Sequence, residues 1–223
     1  MAAVFNWAQT NGASGSETTT DLGETGNLFN FKNVDSSGTT DYDNYPITAG
    51  NNSYEVWLRG HWTGTFNKID NLQFWMSTDF SPNTGLTVKW GTTQTYSTPT
   101  NSTSTIATDN VPTSDPGTAN VPIGGSLSGS LTSAGYSDYI VLQLQTTTDA
   151  AAGDTSLAEF TLNIGAHAIA ILREKLLKFG ETLKNYLEAI PSQAEKFLGR
   201  CRDLTGRISN LWRLRESPLP IAI

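Results

Sequence analysis

The sequence predicts a mainly β protein. Residues 1–163 are expected to form an antiparallel two-sheet sandwich, jelly-roll or immunoglobulin-like, and residues 164–223 a pair of amphipathic α-helices. Three observations predict this. Short segments before Asn163 alternate apolar and polar residues with period two, as half-buried strands do. No helical periodicity separates those segments, so neighbouring strands should pair antiparallel rather than through crossover helices. At Asn163 the composition changes abruptly: residues 1–163 hold four basic and fifteen acidic residues, a balance of −11, whereas the remainder holds ten against six, a balance of +4.

The strands follow in order. Val4-Phe5-Asn6-Trp7 and Leu28-Phe29-Asn30-Phe31 read as short strands. From Tyr54 to Phe66 the alternation is clean. Tyr54, Val56, Leu58, Trp62 and Phe66 form a buried face, and Glu55, Trp57, Arg59, His61 and Thr63 a wet one. Leu72, Phe74 and Met76 face away from Gln73, Trp75 and Ser77, while Leu86, Val88 and Trp90 form another inward set. Ile140, Leu142 and Leu144 alternate with Val141, Gln143 and Gln145, and Phe160 and Leu162 close the series. Turn signals such as Ser81-Pro-Asn-Thr-Gly85, Asp115-Pro-Gly117 and Gly124-Gly125 separate the runs. Thr92 to Thr118 is rich in Ser, Thr and Pro and is expected to be a long exposed loop or two weak edge strands.

The tail carries a heptad seam. Ile169, Leu172, Leu176, Phe179, Leu183, Tyr186 and Ile190 repeat at alternating three- and four-residue steps, predicting a helix over 165–190. Pro191 ends it, and Ser192-Gln-Ala-Glu195 is a capping-box pattern. Phe197, Cys201, Leu204, Ile208 and Leu211 continue the seam in a second helix over 193–215. Glu174, Glu181, Glu188 and Glu195 recur among Lys and Arg, a pattern suited to protein contact rather than to a membrane surface.

Bulk composition excludes several classes. A net charge of −7 argues against nucleic acid as a partner. Cys201 is the single cysteine, so no internal disulfide framework is expected. The first residues show neither a basic nor an apolar signal-peptide region, and no run reaches the ~18 apolar residues of a membrane span. Synthesis and folding in a cytoplasm are therefore expected.

Trp57 and Trp75, with Arg59 between the polar neighbours of Trp57, are the candidate contact residues of the sandwich. If their strands are adjacent, the two rings form an outward platform for a partner subunit or a sugar ring. Cover by loops or by the tail is the competing reading. Asp41-Tyr-Asp43-Asn44 offers oxygen ligands but lacks the glycine and distal glutamate of a helix-loop-helix calcium site. His61 and His167 are the only histidines, which leaves no zinc set. His61 reads as a surface histidine, and no Gly-x-Ser-x-Gly elbow is present. Glu55 is the least implausible glycosidase carboxylate. Gly124-Gly-Ser-Leu-Ser-Gly-Ser has no Lys and is not a phosphate loop. Asn51 and Asn101 begin Asn-x-Ser/Thr sequons. No catalytic set, cofactor or metal site is predicted.

Val56-Trp57-Leu58-Arg59-Gly60, Ile69-Asp70-Asn71-Leu72-Gln73-Phe74-Trp75 and Ala158-Glu159-Phe160-Thr161-Leu162 resemble the β-sandwich structural proteins of tailed phages and prophages. The resemblance covers residues 1–163. It implies a non-enzymatic virion component, such as a capsid decoration or surface protein, at the virion surface after cytoplasmic synthesis. The implied partners are copies of itself and a capsid or other shell protein. The alternative is a carbohydrate-binding module or adhesin using Trp57 and Trp75, and a glycoside hydrolase is the remote one.

Overall fold

The computed structural model describes residues 3–26, 28–39, 42–81, 83–150 and 158–164. The predicted helices at 165–190 and 193–215 lie outside the described residues. What is described is mainly β, with every strand pair antiparallel. Among the described residues no helix is long and apolar enough to cross a membrane.

Among the described residues there are eleven strands: β1 (Val4–Asn11), β2 (Thr18–Gly23), β3 (Val56–Thr63), β4 (Ile69–Asp70), β5 (Gln73–Thr78), β6 (Leu86–Thr93), β7 (Asp109–Asn110), β8 (Ser130–Leu131), β9 (Gly135–Tyr136), β10 (Tyr139–Thr146) and β11 (Glu159–Asn163). Seven of them form one sheet in the order β2-β1-β3-β10-β6-β7, with β9 continuing along β3 where β10 leaves it. Two small sheets, β11-β5 and β4-β8, complete the set.

Register fixes which side chains share a face, because residues opposite each other point the same way. Trp7 lies opposite Gly60, Gln9 opposite Leu58, Ile140 opposite Leu58, and Leu142 opposite both Val56 and Trp90. This face meets β5 and β11. Phe74 packs edge-on against Trp7 at 6.2 Å, tilted against Trp90 at 5.6 Å and stacked on Phe160 at 5.9 Å. The Trp62 ring lies over Gly60, where an added Cβ would stand 2.3 Å from a ring carbon. Glycine is required there because an indole occupies its side-chain space.

The structure departs from the sequence reading in three elements. Leu28 to Phe31 is not a strand. Its rings pack sideways, Phe29 on Phe160 at 5.8 Å and Phe31 on Phe80 at 6.2 Å, while the next residues bond irregularly to Tyr54 and Tyr45. β2 pairs with β1 although its threonines carry no apolar alternation. Thr92 to Thr118 is mostly exposed and supplies one short edge strand, β7 on β6, as expected, but it is anchored as well, with Tyr96, Ser104, Ala107 and Val111 buried.

Candidate functional site

The alternation on β3 is as read, but its outcome is different. Trp57 points away from Val56 and Leu58, yet it is 0% exposed. Its face of the sheet carries a second core of Trp57, Tyr96, Ala107, Tyr139 and Val141, with Ile106 packed against it. Trp57 meets Tyr96 at 4.9 Å and Tyr139 at 5.3 Å, both edge-on. The expectation of an outward Trp57 is therefore corrected. A strap over residues 94–108 covers the ring within the same chain.

Polar groups hold that strap down. Glu55 accepts hydrogen bonds from the Trp57 indole N–H (3.1 Å) and from the Thr100 backbone N–H (3.3 Å). The Gln143 amide, fully buried, donates to the carbonyls of Ser53 (3.1 Å) and Ser102 (2.8 Å) and accepts from Ser104 N–H (3.0 Å). Ser104 Oγ accepts in turn from Ile106 and Ala107 N–H. At Gly91 the strap backbone passes so close that an added Cβ would lie 2.0 Å from the Ile106 carbonyl oxygen. Val141 and Gln143, which alternate with Ile140, Leu142 and Leu144 along their strand, are buried for this reason.

Gly12 ties the far end of the strap. Its carbonyl accepts from the Tyr96 hydroxyl at 2.6 Å, and its N–H donates to Asp35 Oδ2 at 2.8 Å. Burial pushes the Tyr96 phenol well above its usual range, reinforced by the negative charge of Asp35. Burial also raises the Asp35 carboxyl above its usual 3.8, opposed by the Gly12 N–H and by Lys32. Between 3.8 and the raised value the folded state holds a proton that the unfolded chain has lost, so this residue lowers stability as pH rises through that window. Asp35→Asn keeps an acceptor for Gly12 and removes the charge. Its thermal midpoint is expected to exceed that of the parent at pH 7, with the difference shrinking as pH falls through the carboxylate range. Melting curves across pH check this.

Arg59 and His61 continue the ladder outward. The Arg59 guanidinium carbon lies 4.6 Å from the Tyr136 ring centre and 4.4 Å from that of Tyr139. Arg59 Nε donates to the Ser137 carbonyl at 2.9 Å and Nη1 to the Tyr139 hydroxyl at 3.3 Å. Two of its five N–H groups thus serve the fold, and the guanidinium carbon lies near both rings as cation–π geometry favours. His61 stacks on Tyr136 at 4.1 Å and its Nδ1 sits 3.0 Å from Asp21 Oδ1. Its side chain is only 16% exposed, so the surface histidine of the sequence reading is a half-buried, paired one.

Trp75 lies elsewhere. β5 pairs with β11 and not with β3, so the two tryptophans share no sheet and form no common platform. Trp75 is half-buried on the outward face of β5, opposite Thr161. The Gln73–Asn163 amide pair (3.2 Å) flanks it on one side and the Ser77–Thr161 hydroxyl pair (3.3 Å) on the other. Phe74 and Met76, its neighbours in sequence, point into the core. Of Trp57, Arg59 and Trp75, Trp75 alone keeps a ring on an outward strand face.

The remaining motifs also find structural uses. Asp138 is buried, and its two carboxylate oxygens accept from Gly124 N–H (2.9 Å) and Gly125 N–H (2.7 Å). The glycine-rich turn is thus filled by the chain's own carboxylate. Asp41 lies outside the described residues, and among the described residues no three His, Cys, Asp or Glu gather as a metal set. The tail positions Ile169, Leu172, Leu176, Phe179, Leu183, Tyr186, Ile190, Phe197, Leu204, Ile208 and Leu211 lie outside the described residues as well. The sequon asparagines Asn51 and Asn101 line one surface depression, a grouping that their separation in sequence hid.

Comparison with family models finds no match, nor do curated proteins or solved structures supply one.

Proposed function

We propose that the chain is a non-enzymatic structural component of a virus particle, a decoration or surface protein that joins its neighbours through the Trp75 face and the heptad seam of the tail. The observation that carries the contact is Trp75, a large ring left only half-buried in an otherwise polar strand face, since such rings concentrate at subunit contacts. The absence of catalysis in this reading is supported by the fate of the glycosidase carboxylate candidate, since the buried Glu55 is committed to Trp57 and Thr100. Trp57 no longer belongs to the contact set, because the domain buries it internally. The seam from Ile169 to Leu211 supplies the self-complementary stripe, on the sequence pattern alone.

Sedimentation velocity tests the reading. The full chain is expected to self-associate at tens of micromolar, and Trp75→Ala to weaken the association by about 1–2 kcal/mol, as loss of a contact aromatic does. A parent chain that stays monomeric at that concentration contradicts the assembly role. An unchanged Trp75→Ala variant removes the strand face from it.

A further inference from the structure

A depression of about 370 Å3 is lined by the asparagines 33, 51, 52 and 101 with Ser102 and Thr103. We propose that it is a binding site for a neutral saccharide. This inference does not rest on the assembly role of Trp75.

The chemistry of the lining selects the ligand. None of the described residues lining the depression carries a charge, so nothing there compensates a phosphate or a carboxylate, and no carboxylate is offered to a cation. Each primary amide presents donors and acceptors together, and each hydroxyl does both. A ligand that matches such a wall must itself donate and accept at many points while remaining neutral. Vicinal hydroxyls of a sugar do this. The Asn33 backbone is itself fixed, its N–H donating to the Tyr45 carbonyl at 2.9 Å.

The wall is also held in place before any ligand arrives. The buried Gln143 amide grips the carbonyls of Ser53 and Ser102, and so fixes the two loops that carry Asn51–Asn52 and Asn101–Thr103 to one point of the sheet. Gly50 N–H donates to the Thr147 carbonyl and to Thr146 Oγ1, and Thr146 Oγ1 donates to the Asn51 carbonyl at 2.8 Å. Asn101 Nδ2 reaches Asn33 Oδ1 at 3.3 Å, and Asn52 Nδ2 reaches Thr103 Oγ1 at 3.4 Å. Loops anchored in this way lose little conformational freedom on binding, which leaves more of the contact energy as affinity. The buried network beneath the depression thus gives the exposed amides a fixed spacing.

The test uses the full chain, made without glycosylation, in two-dimensional amide NMR spectra. A panel of neutral oligosaccharides of glucose, galactose, mannose and N-acetylglucosamine is titrated to millimolar concentration. At least one is expected to move the side-chain amide signals of Asn51 and Asn101 in a saturable way. Asn101→Ala and, separately, Asn51→Ala should each weaken that binding about tenfold, a loss of 1.4 kcal/mol. Trp75→Ala should leave it unchanged. The proposal is overturned if no member of the panel moves those signals, or if the shifts map to the Trp75 face. Unaltered affinity in both asparagine variants, or equal shifts with calcium chloride or inorganic phosphate, would overturn it too. Because Trp75→Ala separates the two surfaces, failure here leaves the sedimentation result standing on its own.

Discussion

Trp57→Ala is expected to destabilise the domain by about 3–5 kcal/mol, the usual range for removing a buried large aromatic. The ring is fully buried against Tyr96 and Tyr139, and its N–H donates to Glu55 beside the Thr100 backbone N–H. Truncation opens a cavity and strips a 5%-exposed carboxylate of a partner, and the second effect adds to the first. Trp57→Phe separates the two: it keeps most of the packing and loses the indole donor, so its cost should be smaller, about 1–3 kcal/mol. Urea midpoints measure both. A ring serving as an external handle would give the opposite pattern, with stability unchanged and only partner binding reduced.

Gly91→Ala is expected to cost about 3 kcal/mol, at the upper end of overpacking effects, for a single added methyl group. The obstacle is backbone: the Ile106 carbonyl oxygen at 2.0 Å and its carbon at 2.9 Å. A flexible side-chain end could swing away, whereas here the strap itself must lift. Gly91 lies opposite Val141, beneath the same strap that covers Trp57. Lifting it exposes Trp57 and Tyr96 together, so the intrinsic tryptophan emission should shift to the red in the folded variant. The double substitution with Trp57→Ala should cost less than the two single costs combined, since both weaken one contact between strap and sheet.

These two residues show what could be read from the sequence. Period-two alternation placed Trp57 and Val56 on opposite faces of β3 correctly, and it set Phe74 and Met76 inward on β5. It did not reveal that both faces of the long sheet are closed. A cover recognised from sequence normally shows an apolar stripe. This strap is instead held by Gln143, Glu55, Ser104 and the Tyr96 hydroxyl, which read as polar surface. The available signal was Gly91 inside an alternating strand, a position that points to close backbone approach. β2 escaped because Thr18 to Thr20 offer no contrast between faces, and it is recruited by pairing with β1. The asparagine depression was beyond sequence reasoning, since Asn33, Asn51 and Asn101 meet only through the fold.

The surface offered to a partner depends on whether the strap seals Trp57 within the chain, and residue-resolved amide hydrogen exchange tests that most directly. The N–H groups of Ser104 and Ala107, bonded to Gln143 Oε1 and Ser104 Oγ, are predicted to exchange as slowly as those of Ile140 to Leu144 in the centre of the sheet. Fast exchange at Ser104 and Ala107, on the scale of an unprotected loop, would mean that the strap opens freely and that Trp57 is available to partners after all.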